Sequence, residues 1–511
     1  MNAFAAPLAQ LGPLLASHVL LSAAALGLAL LVSVPLAIAA ARRPRLRAVA
    51  LGLASLVQTI PGLALLALFY PLLLALSALV GGGVPALGFL PSLLALSLYA
   101  VLPILRNGVA GLTGIDAAVL EAADGVGMTP SQRLRLVELP LAAPVLMAGI
   151  RTAAVWTIGA ATLSTTVGQP SLGNLIFAGL QTENWPLVLT GCIAAAALAL
   201  AVDALLGLAE RGIAKRRRWM IAVPLALVAL GIAGALAFSF APRRPAVTVG
   251  AKNFSEQYIL ARLIGGRLEQ AGYAVSYREG LGSAVALRAL RQGDIDVYVD
   301  YSGTLWTTLM HRRDTPPRGA MIAGIAAWMK AGPHTGLVGP LGFENAYALA
   351  MRGKDARRLG IASIADLAAV APRLTLGADL EFLDRPEWRA LRDAYGLHFA
   401  ATRAYSPTFL YRALASGQAD VISAFSSDGR IAAERLAVLS DPKGAVPSYD
   451  ALLLVSPCRA GDARFLAALR PLVNAIPVAA MCEANYRVDR DAAKQSPEEA
   501  ARFLAARLRR P

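Results

Sequence analysis

Six long apolar runs occupy most of the first 240 residues, and they constrain the fold more than any other feature of the sequence. About 20 apolar residues are needed to cross the ~30 Å hydrocarbon core of a membrane as an α-helix. The predicted spans are Val19–Ala41, Val49–Leu79, Leu87–Leu105, Leu141–Thr165, Trp185–Leu208 and Trp219–Phe240. The second run is long and contains Pro61 and Pro71, so we expect it to tilt, kink or break.

The chain carries a formal net charge of +15, which has two possible explanations. A basic surface can bind nucleic acid, whereas membrane topology keeps Lys and Arg on the cytoplasmic connections between spans. The basic residues of this chain lie beside its apolar runs. This placement favours topology, and no nucleic-acid partner is expected.

The basic residues occur in three of the connections between the predicted spans. They lie within Arg42–Arg47, Arg106–Arg135 and Arg211–Arg218, whereas Gly81–Ala86 and Gly168–Asn184 contain neither Lys nor Arg. The positive-inside rule places the three basic connections in the cytoplasm. The N-terminus and everything after the sixth span then lie outside. The prediction is a multi-pass protein of the cell (inner) membrane with an extracytoplasmic C-terminal domain.

After Pro242 the sequence changes to the short alternating strands and helices of an α/β protein. The predicted elements include strands at Val247–Gly250, Val275–Tyr277 and Ile295–Val299, and helices at Glu256–Ala271 and Ser283–Gln292. This alternation is typical of parallel sheets, and about 270 residues suffice for two lobes. We expect the second lobe near Asn345–Ser448, with a return to the first lobe after Leu452.

These patterns divide the chain into three parts. Residues 1–215 form an α-helical membrane domain, and with the tether the chain has about six spans. Residues 216–245 form a transmembrane tether and linker, and residues 246–511 form a two-lobed α/β domain.

Several enzyme and metal motifs are missing from the sequence. It contains no GxxxxGK[ST], HExxH or GxSxG pattern, so neither ATP binding through a P-loop nor a catalytic site is expected. It has no CxxC and only four scattered His, so we expect no metal site and no cofactor in this chain. Cys458 and Cys482 both fall in the outer domain, and the sequence leaves open whether they pair.

A polar segment, Glu121–Pro140, interrupts the apolar half of the chain. Its spacing is Glu-Ala-Ala, three residues, Gly, nine residues, then Val-Glu-Leu-Pro. Ala122 and Ala123 allow a short helix to approach a partner closely, and Gly127 permits a sharp turn into a second short helix. Pro140 is expected to open the next span, where a missing N–H costs little. An ordinary amphipathic loop is the alternative.

This spacing resembles the EAA signature of ABC-importer permeases, with Val137 in place of Ile. The runs Leu98–Asn107 and Met147–Ala153 resemble the permeases of osmoprotectant importers. The resemblance implies that the segment docks on a cytoplasmic ABC ATPase subunit, which binds the ATP. The residues implied in this coupling are Glu121, Ala122, Ala123, Gly127, Leu139 and Pro140.

The outer domain resembles the substrate-binding protein of the same importers, in Val249–Leu260, Tyr298–Thr304 and Phe425–Ile431. The implied fold is a type II periplasmic-binding-protein domain fused to its permease. The resemblance implies an aromatic cage for a quaternary ammonium ligand at Tyr301, Tyr347, Phe425 and Tyr449. It implies a carboxylate end at Lys252, Thr304 and Arg385, with a backbone carbonyl from Asn345. The family's cage is commonly all tyrosine, and Phe425 departs from it.

Other roles are open for these side chains. Tyr301, Tyr347 and Tyr449 could be core residues, and Arg385 could form a surface ion pair with Asp384 or Glu387. Phe254 and Trp306 are expected in the core rather than at a ligand.

The resemblance implies an importer subunit that performs no chemistry on its substrate. The substrate would be glycine betaine, carnitine or choline, with ergothioneine as the alternative. A homodimer is expected because one permease half has too few spans to enclose a path. A membrane-anchored sensor is the alternative from another class, although it would need a cytoplasmic output domain that no stretch supplies.

Overall fold

The computed structural model describes residues 5–81, 84–181, 184–240, 246–312, 314–332, 335–490 and 493–508. The chain divides into two compact units: the first contains Met1–Phe177 and Trp185–Pro242, and the second contains Arg243–Pro511 and the short segment Ala178–Asn184. The α-helices described between residues 5 and 240 are α1 Ala5–Arg42, α2 Pro44–Thr59, α3 Gly62–Leu79, α4 Phe89–Thr113, α5 Ala117–Gly125, α6 Pro130–Arg133, α7 Leu139–Ala161, α8 Gly173–Gln181, α9 Trp185–Ala214 and α10 Trp219–Phe240.

Among the described residues, six helical segments are long and apolar enough to cross a membrane, as predicted. They are Gln10–Arg42, Gly62–Leu79, Phe89–Thr113, Pro130–Val167, Trp185–Ala214 and Trp219–Ser239. The long second run breaks into α2 and α3, because Ile60 and Pro61 have extended backbones between them. Proline disfavours a helical conformation in the residue before it, which explains why α2 ends at Thr59.

The fourth segment begins earlier than predicted. Pro140 does not open it, because α6, a π-helical turn at Leu134–Glu138 and α7 form one helical segment from Pro130 onward. The N–H of Leu139 donates to the carbonyl of Leu134, one residue further back than in an α-helix. The helix therefore starts well before Pro140, and the wide turn lies directly before the residue that lacks an N–H.

Polar contacts join spans inside this unit, and two buried or charged side chains illustrate them. His18 of α1 contacts the carbonyl of Ile158 through Nε2 at 3.0 Å and accepts the N–H of Leu172 at Nδ1 at 3.3 Å. Arg151 of α7 donates two hydrogen bonds to Asp203 of α9, at 2.7 and 2.9 Å. Polar groups within a membrane are costly unless they are paired, so these contacts specify which helices pack together.

The second unit contains two sheets with helices around them. Its strands are β1 Ala246–Lys252, β2 Ala274–Leu281, β3 Val297–Tyr301, β4 Gly336–Glu344, β5 Tyr347–Arg352, β6 Thr375–Ala378, β7 Ala401–Ala404, β8 Val421–Phe425, β9 Leu436–Val438 and β10 Asp450–Val455. Its helices are α11 Ser255–Gln270, α12 Ser283–Gln292, α13 Arg318–Ala331, α14 Gly353–Leu359, α15 Ile364–Val370, α16 Leu380–Asp384, α17 Pro386–Tyr395, α18 Pro407–Ala415, α19 Arg430–Ala433, α20 Ala463–Leu469, α21 Val478–Asp489 and α22 Pro497–Arg507.

Each sheet forms the core of one lobe. The strand orders are β2-β1-β3-β10-β4 and β7-β6-β8-β5-β9. The chain leaves the first lobe between β4 and β5 and returns between β9 and β10, close to the predicted positions. The two crossing segments are joined by a hydrogen bond of 2.9 Å from the N–H of Asn345 to the carbonyl of Tyr449.

The sheets are mixed rather than parallel, which corrects the prediction. In the first lobe, β1 pairs in parallel with β2 and β3, but β10 runs antiparallel to β3 and β4. In the second lobe, β6 pairs in parallel with β7 and β8, but β5 runs antiparallel to β8 and β9. The reversed strands, β5 and β10, are those that the chain enters from the other lobe. Alternation of strands and helices along the sequence does not reveal such a reversal. Cys458 and Cys482 are free thiols and do not form a disulfide.

Candidate ligand-binding cleft

All eight residues predicted at the ligand site line one cavity of about 370 Å³ in the second unit. Lys252 and Tyr301 are the last residues of β1 and β3, and Phe425 is the last residue of β8. Tyr347 begins β5, and Tyr449 directly precedes β10. The ends of strands meet at one edge of each sheet, where open α/β folds place their ligands. Residues far apart in sequence are therefore brought together.

Aromatic rings form a continuous wall of this cavity. The ring centroid of Tyr347 lies 4.9 Å from that of Phe425 and 5.7 Å from that of Tyr449, with the two tyrosine planes at 90°. The Phe254 ring stacks on Phe425 at 5.7 Å and lies 6.1 Å from Tyr301. Phe254 was expected in the core; it packs against the hydrophobic core and also lines the cavity, since it lies close to the end of β1.

Trp306 is a core residue, as expected. Its side chain is buried, and its indole N–H donates to the carbonyl of Asp314 at 2.8 Å.

Two tyrosines that line the cavity donate their hydroxyl protons to buried carboxylates. Tyr301 donates to Glu256 at 2.5 Å, and Tyr449 donates to Glu387. Burial raises the pKa of both tyrosine hydroxyls well above its ordinary value, and the neighbouring carboxylates raise it further. Both phenols are therefore neutral, and each ring is held from its hydroxyl end.

Glu256 collects hydrogen bonds from both lobes and from the first crossing segment. Besides Tyr301, its carboxylate accepts from Asn345 Nδ2 at 3.1 Å, Ser427 Oγ at 2.5 Å and Asn485 Nδ2 at 2.9 Å. Burial raises the pKa of this carboxyl, and the four donors oppose the shift. Tyr301 therefore shares one hydrogen-bond acceptor, Glu256, with residues of both lobes.

Lys252 reaches the cavity with its charge already compensated. Its Nζ forms an ion pair with Asp300, and both side chains are buried. Asp300 also accepts from the hydroxyl of Tyr298 at 2.7 Å and from the N–H of Tyr301 at 2.8 Å. Lys252 lines the cavity, but the sequence did not reveal this partner.

Arg385 is buried rather than part of a surface ion pair. It lies between α16 and α17 and is only 5% exposed. Its guanidinium donates to Glu381 at 2.6 Å and to Thr304 Oγ1 at 3.3 Å, and it lies 3.6 Å from Glu387. Its Cζ atom lies 5.1 Å from the ring centroid of Tyr347. The guanidinium thus lies beside the cage, but carboxylates of the protein already pair with it.

Two carboxylates on the second lobe were not anticipated, although both line the cavity. Asp379 caps α16, with Oδ1 accepting the N–H of Phe382 at 2.9 Å, and burial raises the pKa of its carboxyl. Glu381 accepts from Ser283 Oγ of the first lobe at 3.0 Å. Burial opposes ionisation of Glu381, but the charges of Arg385 and Lys252, together with hydrogen bonds from Arg385 and Ser283, outweigh it and lower the pKa of that carboxyl. Their position just after β6, at a strand end, is the signal that could have found them.

The segment from Glu121 to Pro140 is a folded elbow. Helix α5 ends in a turn where Gly127 has φ of +79°, and Thr129 caps α6 through a capping box with Gln132. Arg133 links the two halves through Asp124 at 2.5 Å and Glu138 at 2.9 Å. Glu121 and Ala122 are exposed, whereas Ala123 is buried against this unit. Ala123 therefore packs inside the first unit, whereas its two neighbours on the N-terminal side face outward.

Comparisons with known proteins decide the family. Residues 245–506, more than half of the chain, match the family described as the substrate binding domain of ABC-type glycine betaine transport systems. The chain belongs to this family. Residues 33–215 match a second family, the binding-protein-dependent transport system inner membrane component. One polypeptide therefore joins an ABC-importer permease to a glycine-betaine-type receptor, as the resemblance implied.

The relatives are transport proteins. The chain is 29% identical over 481 residues to the ergothioneine transport permease/ergothioneine binding protein EgtU of Helicobacter pylori, covering 90% of this chain and 84% of that protein. It is 41% identical over 194 residues to the choline transport system permease protein OpuBB of Bacillus subtilis, covering 38% of this chain and 84% of that one. A solved glycine betaine/carnitine/choline ABC transporter structure is 27% identical, with a TM-score of 0.44, and covers 51% of this chain and 98% of that chain.

These matches establish the class of protein. The chain is a multi-pass subunit of the inner membrane in an ABC import system for quaternary ammonium compounds. It is a transport subunit and not an enzyme, and a separate ATPase subunit hydrolyses ATP in such systems.

Proposed function

We propose that the cleft binds a small trimethylammonium compound and delivers it to the permease part of the same chain. The observation that carries this proposal is the aromatic wall formed by Tyr301, Tyr347, Phe425 and Tyr449 around one cavity. A quaternary ammonium neither donates nor accepts hydrogen bonds, so aromatic faces are the groups that hold it best. The candidates are glycine betaine, carnitine and choline.

The polar residues of the cleft would orient the rest of the ligand. Lys252, Thr304 and Arg385 lie on the cavity together with Asn345, and we assign them to the end opposite the ammonium group. The ion pairs of Lys252 with Asp300 and of Arg385 with Glu381 support a role in orientation more than in charge neutralisation.

Ergothioneine is the second candidate ligand. It is a trimethylammonium carboxylate that also carries a ring with N–H groups. The relative that aligns with 90% of this chain is named for it. Asp379 and Glu381 on the cavity offer acceptors for such N–H groups.

The elbow would transmit the ATPase cycle. Glu121, Ala122, Gly127, Leu139 and Pro140 lie on it, and two apolar side chains, Val126 and Leu136, are 74% and 66% exposed. Exposed apolar side chains that share a surface can mark a protein interface. We assign this surface to a cytoplasmic ABC ATPase. A homodimer of the chain would supply the second half of the translocation path, with two receptors per complex.

Binding and transport can be tested separately. The full chain in lipid nanodiscs would be titrated by calorimetry with glycine betaine, carnitine, choline and ergothioneine. We expect at least one of them to bind and an uncharged tert-butyl analogue of it to bind much more weakly. Reconstitution with an ABC ATPase should then give ligand uptake. Ligand-stimulated ATP hydrolysis without uptake would instead support a membrane sensor.

A further inference from the structure

Carboxylates of the protein compensate the cations of the cavity that the aromatic rings line. Two cations, Lys252 and Arg385, lie on it. The carboxylates that line the cavity or pair with these cations are Asp300, Asp379, Glu381 and Glu387. The carboxylates outnumber the cations, so the described cleft does not offer an uncompensated positive charge to a ligand carboxylate.

Glu381 already occupies the position expected for a ligand carboxylate. Its Oε1 accepts from Arg385 Nη2 at 2.6 Å and from Ser283 Oγ at 3.0 Å. These partners are a guanidinium and a hydroxyl, the groups that would hold the carboxylate of a betaine. A ligand that ends in a carboxylate therefore competes with Glu381 for Arg385 Nη2 and Ser283, although Nε of Arg385 has no partner among the described residues, whereas a ligand that ends in a hydrogen-bond donor does not compete.

Asp379 lacks one of its hydrogen-bond partners. Its residue is only 6% exposed, and Oδ1 is satisfied by the N–H of Phe382. In the part of the chain that the structure describes, Oδ2 is fully buried and accepts no hydrogen bond. A buried carboxylate oxygen without a partner is costly. Asp379 lines the cavity, so a donor on the ligand can relieve this cost.

We propose that Asp379 accepts a hydrogen bond from the ligand, so that the preferred substrates are trimethylammonium compounds with an O–H or N–H donor at their other end. This inference rests on the proposed function and narrows it. Choline carries a hydroxyl donor, and ergothioneine carries ring N–H donors. Glycine betaine carries a carboxylate alone and is the disfavoured member.

The test compares ligands that share the trimethylammonium group. The full chain in nanodiscs is titrated with tetramethylammonium, glycine betaine, choline and ergothioneine, in the wild type and in Asp379→Asn. Asparagine keeps the Oδ1-type acceptor that caps α16, so the helix is preserved. Asp462→Asn is the matched control, because Asp462 caps α20 through Phe465 in the same way and does not line the cavity.

The wild type should bind choline or ergothioneine at least tenfold more tightly than glycine betaine. In Asp379→Asn the affinity for the better-bound of choline and ergothioneine should fall at least tenfold, the loss typical of a charge-assisted hydrogen bond. The affinity for tetramethylammonium should change less than twofold. Asp462→Asn should bind all ligands as the wild type does.

Three outcomes are distinct. Glycine betaine binding as tightly as the best donor-bearing ligand would overturn this inference, and so would an Asp379→Asn variant whose affinity for that ligand is unchanged. Absence of binding by every trimethylammonium compound, tetramethylammonium included, would instead overturn the proposed function.

Discussion

Substitution of Gly303 tests the proposed aromatic cage by displacing one of its rings, that of Tyr449. It follows β3 in a helical backbone conformation, φ −61° and ψ −43°, which alanine adopts without strain. A Cβ added there would lie 2.5 Å from Cζ and 2.6 Å from Cδ2 of Tyr449, and closer still to Cε2. Since these distances are far below van der Waals contact, the Tyr449 ring must move.

The ring has little freedom to move. Tyr449 is 2% exposed, its hydroxyl donates to Glu387, and its edge meets Tyr347 at 5.7 Å. Overpacking of this kind costs about 1–3 kcal/mol of folding free energy. A displaced ring also forfeits its cation–π contact, about 1–2 kcal/mol when desolvated. We therefore expect Gly303→Ala to raise the Kd for a trimethylammonium ligand roughly 5- to 30-fold.

Calorimetry on the full chain measures the affinity, and thermal unfolding measures the stability. Gly319→Ala is the control, because this glycine lies in α13 with nothing within 4 Å of its added Cβ. It should leave the Kd unchanged. In a Tyr449→Ala background, Gly303→Ala should have almost no further effect on affinity, because the ring it displaces is gone. An equal loss of affinity in both backgrounds would refute the reasoning.

Four other substitutions test the remaining assignments. Tyr301→Ala should weaken ligand binding by about 1–2 kcal/mol in calorimetry, and unchanged affinity would remove Tyr301 from the cage. Glu121→Lys should impair ligand-stimulated ATP hydrolysis at unchanged ligand affinity, and loss of both would indicate misfolding. Glu381→Gln should raise the affinity for glycine betaine relative to tetramethylammonium, since a neutral side chain competes less for Arg385; an unchanged ratio would contradict this. Burial raises the pKa of Asp489 to about 6, above its value of ~3.9 in an unfolded chain, so the folded state retains a proton in this window. Stability should therefore fall as pH rises from about 4 to 6, and Asp489→Asn should lose this part of the slope in thermal unfolding.

The outline of the fold could be predicted because it depends on local patterns. Apolar length predicts the spans, and the spacing of apolar residues, period 2 in strands and 3.6 in helices, predicts the elements of the outer domain. At Ser283–Gln292 the predicted and observed helix agree. Strand direction could not be predicted, because β5 and β10 are reversed by the crossings between lobes. The start of the fourth helical segment was misplaced because a π-helical turn precedes Pro140, and no local pattern announces such a turn.

The positions of the site residues were easier to predict than their partners. The cage residues stand at strand ends, which the sequence reveals. Asp300 pairs with Lys252 across 48 residues, and Glu387 holds Tyr449 across 62. Such pairings depend on tertiary contacts. Phe254 packs against the core and also lines the cavity, and an aromatic residue at the start of a helix has the same sequence pattern in both places.

The location of the cage on both crossing segments has a mechanical consequence. Two-lobed proteins close by rotation about the few residues that join their lobes, and here Asn345, Tyr347 and Tyr449 stand at those joints. A ligand close to the axis of rotation holds the lobes apart at a short distance from that axis. A small increase in ligand width therefore produces a large change in the angle between the lobes. The receptor therefore converts ligand size into an angular difference, and a compound one methylene too wide would leave the lobe tips visibly apart.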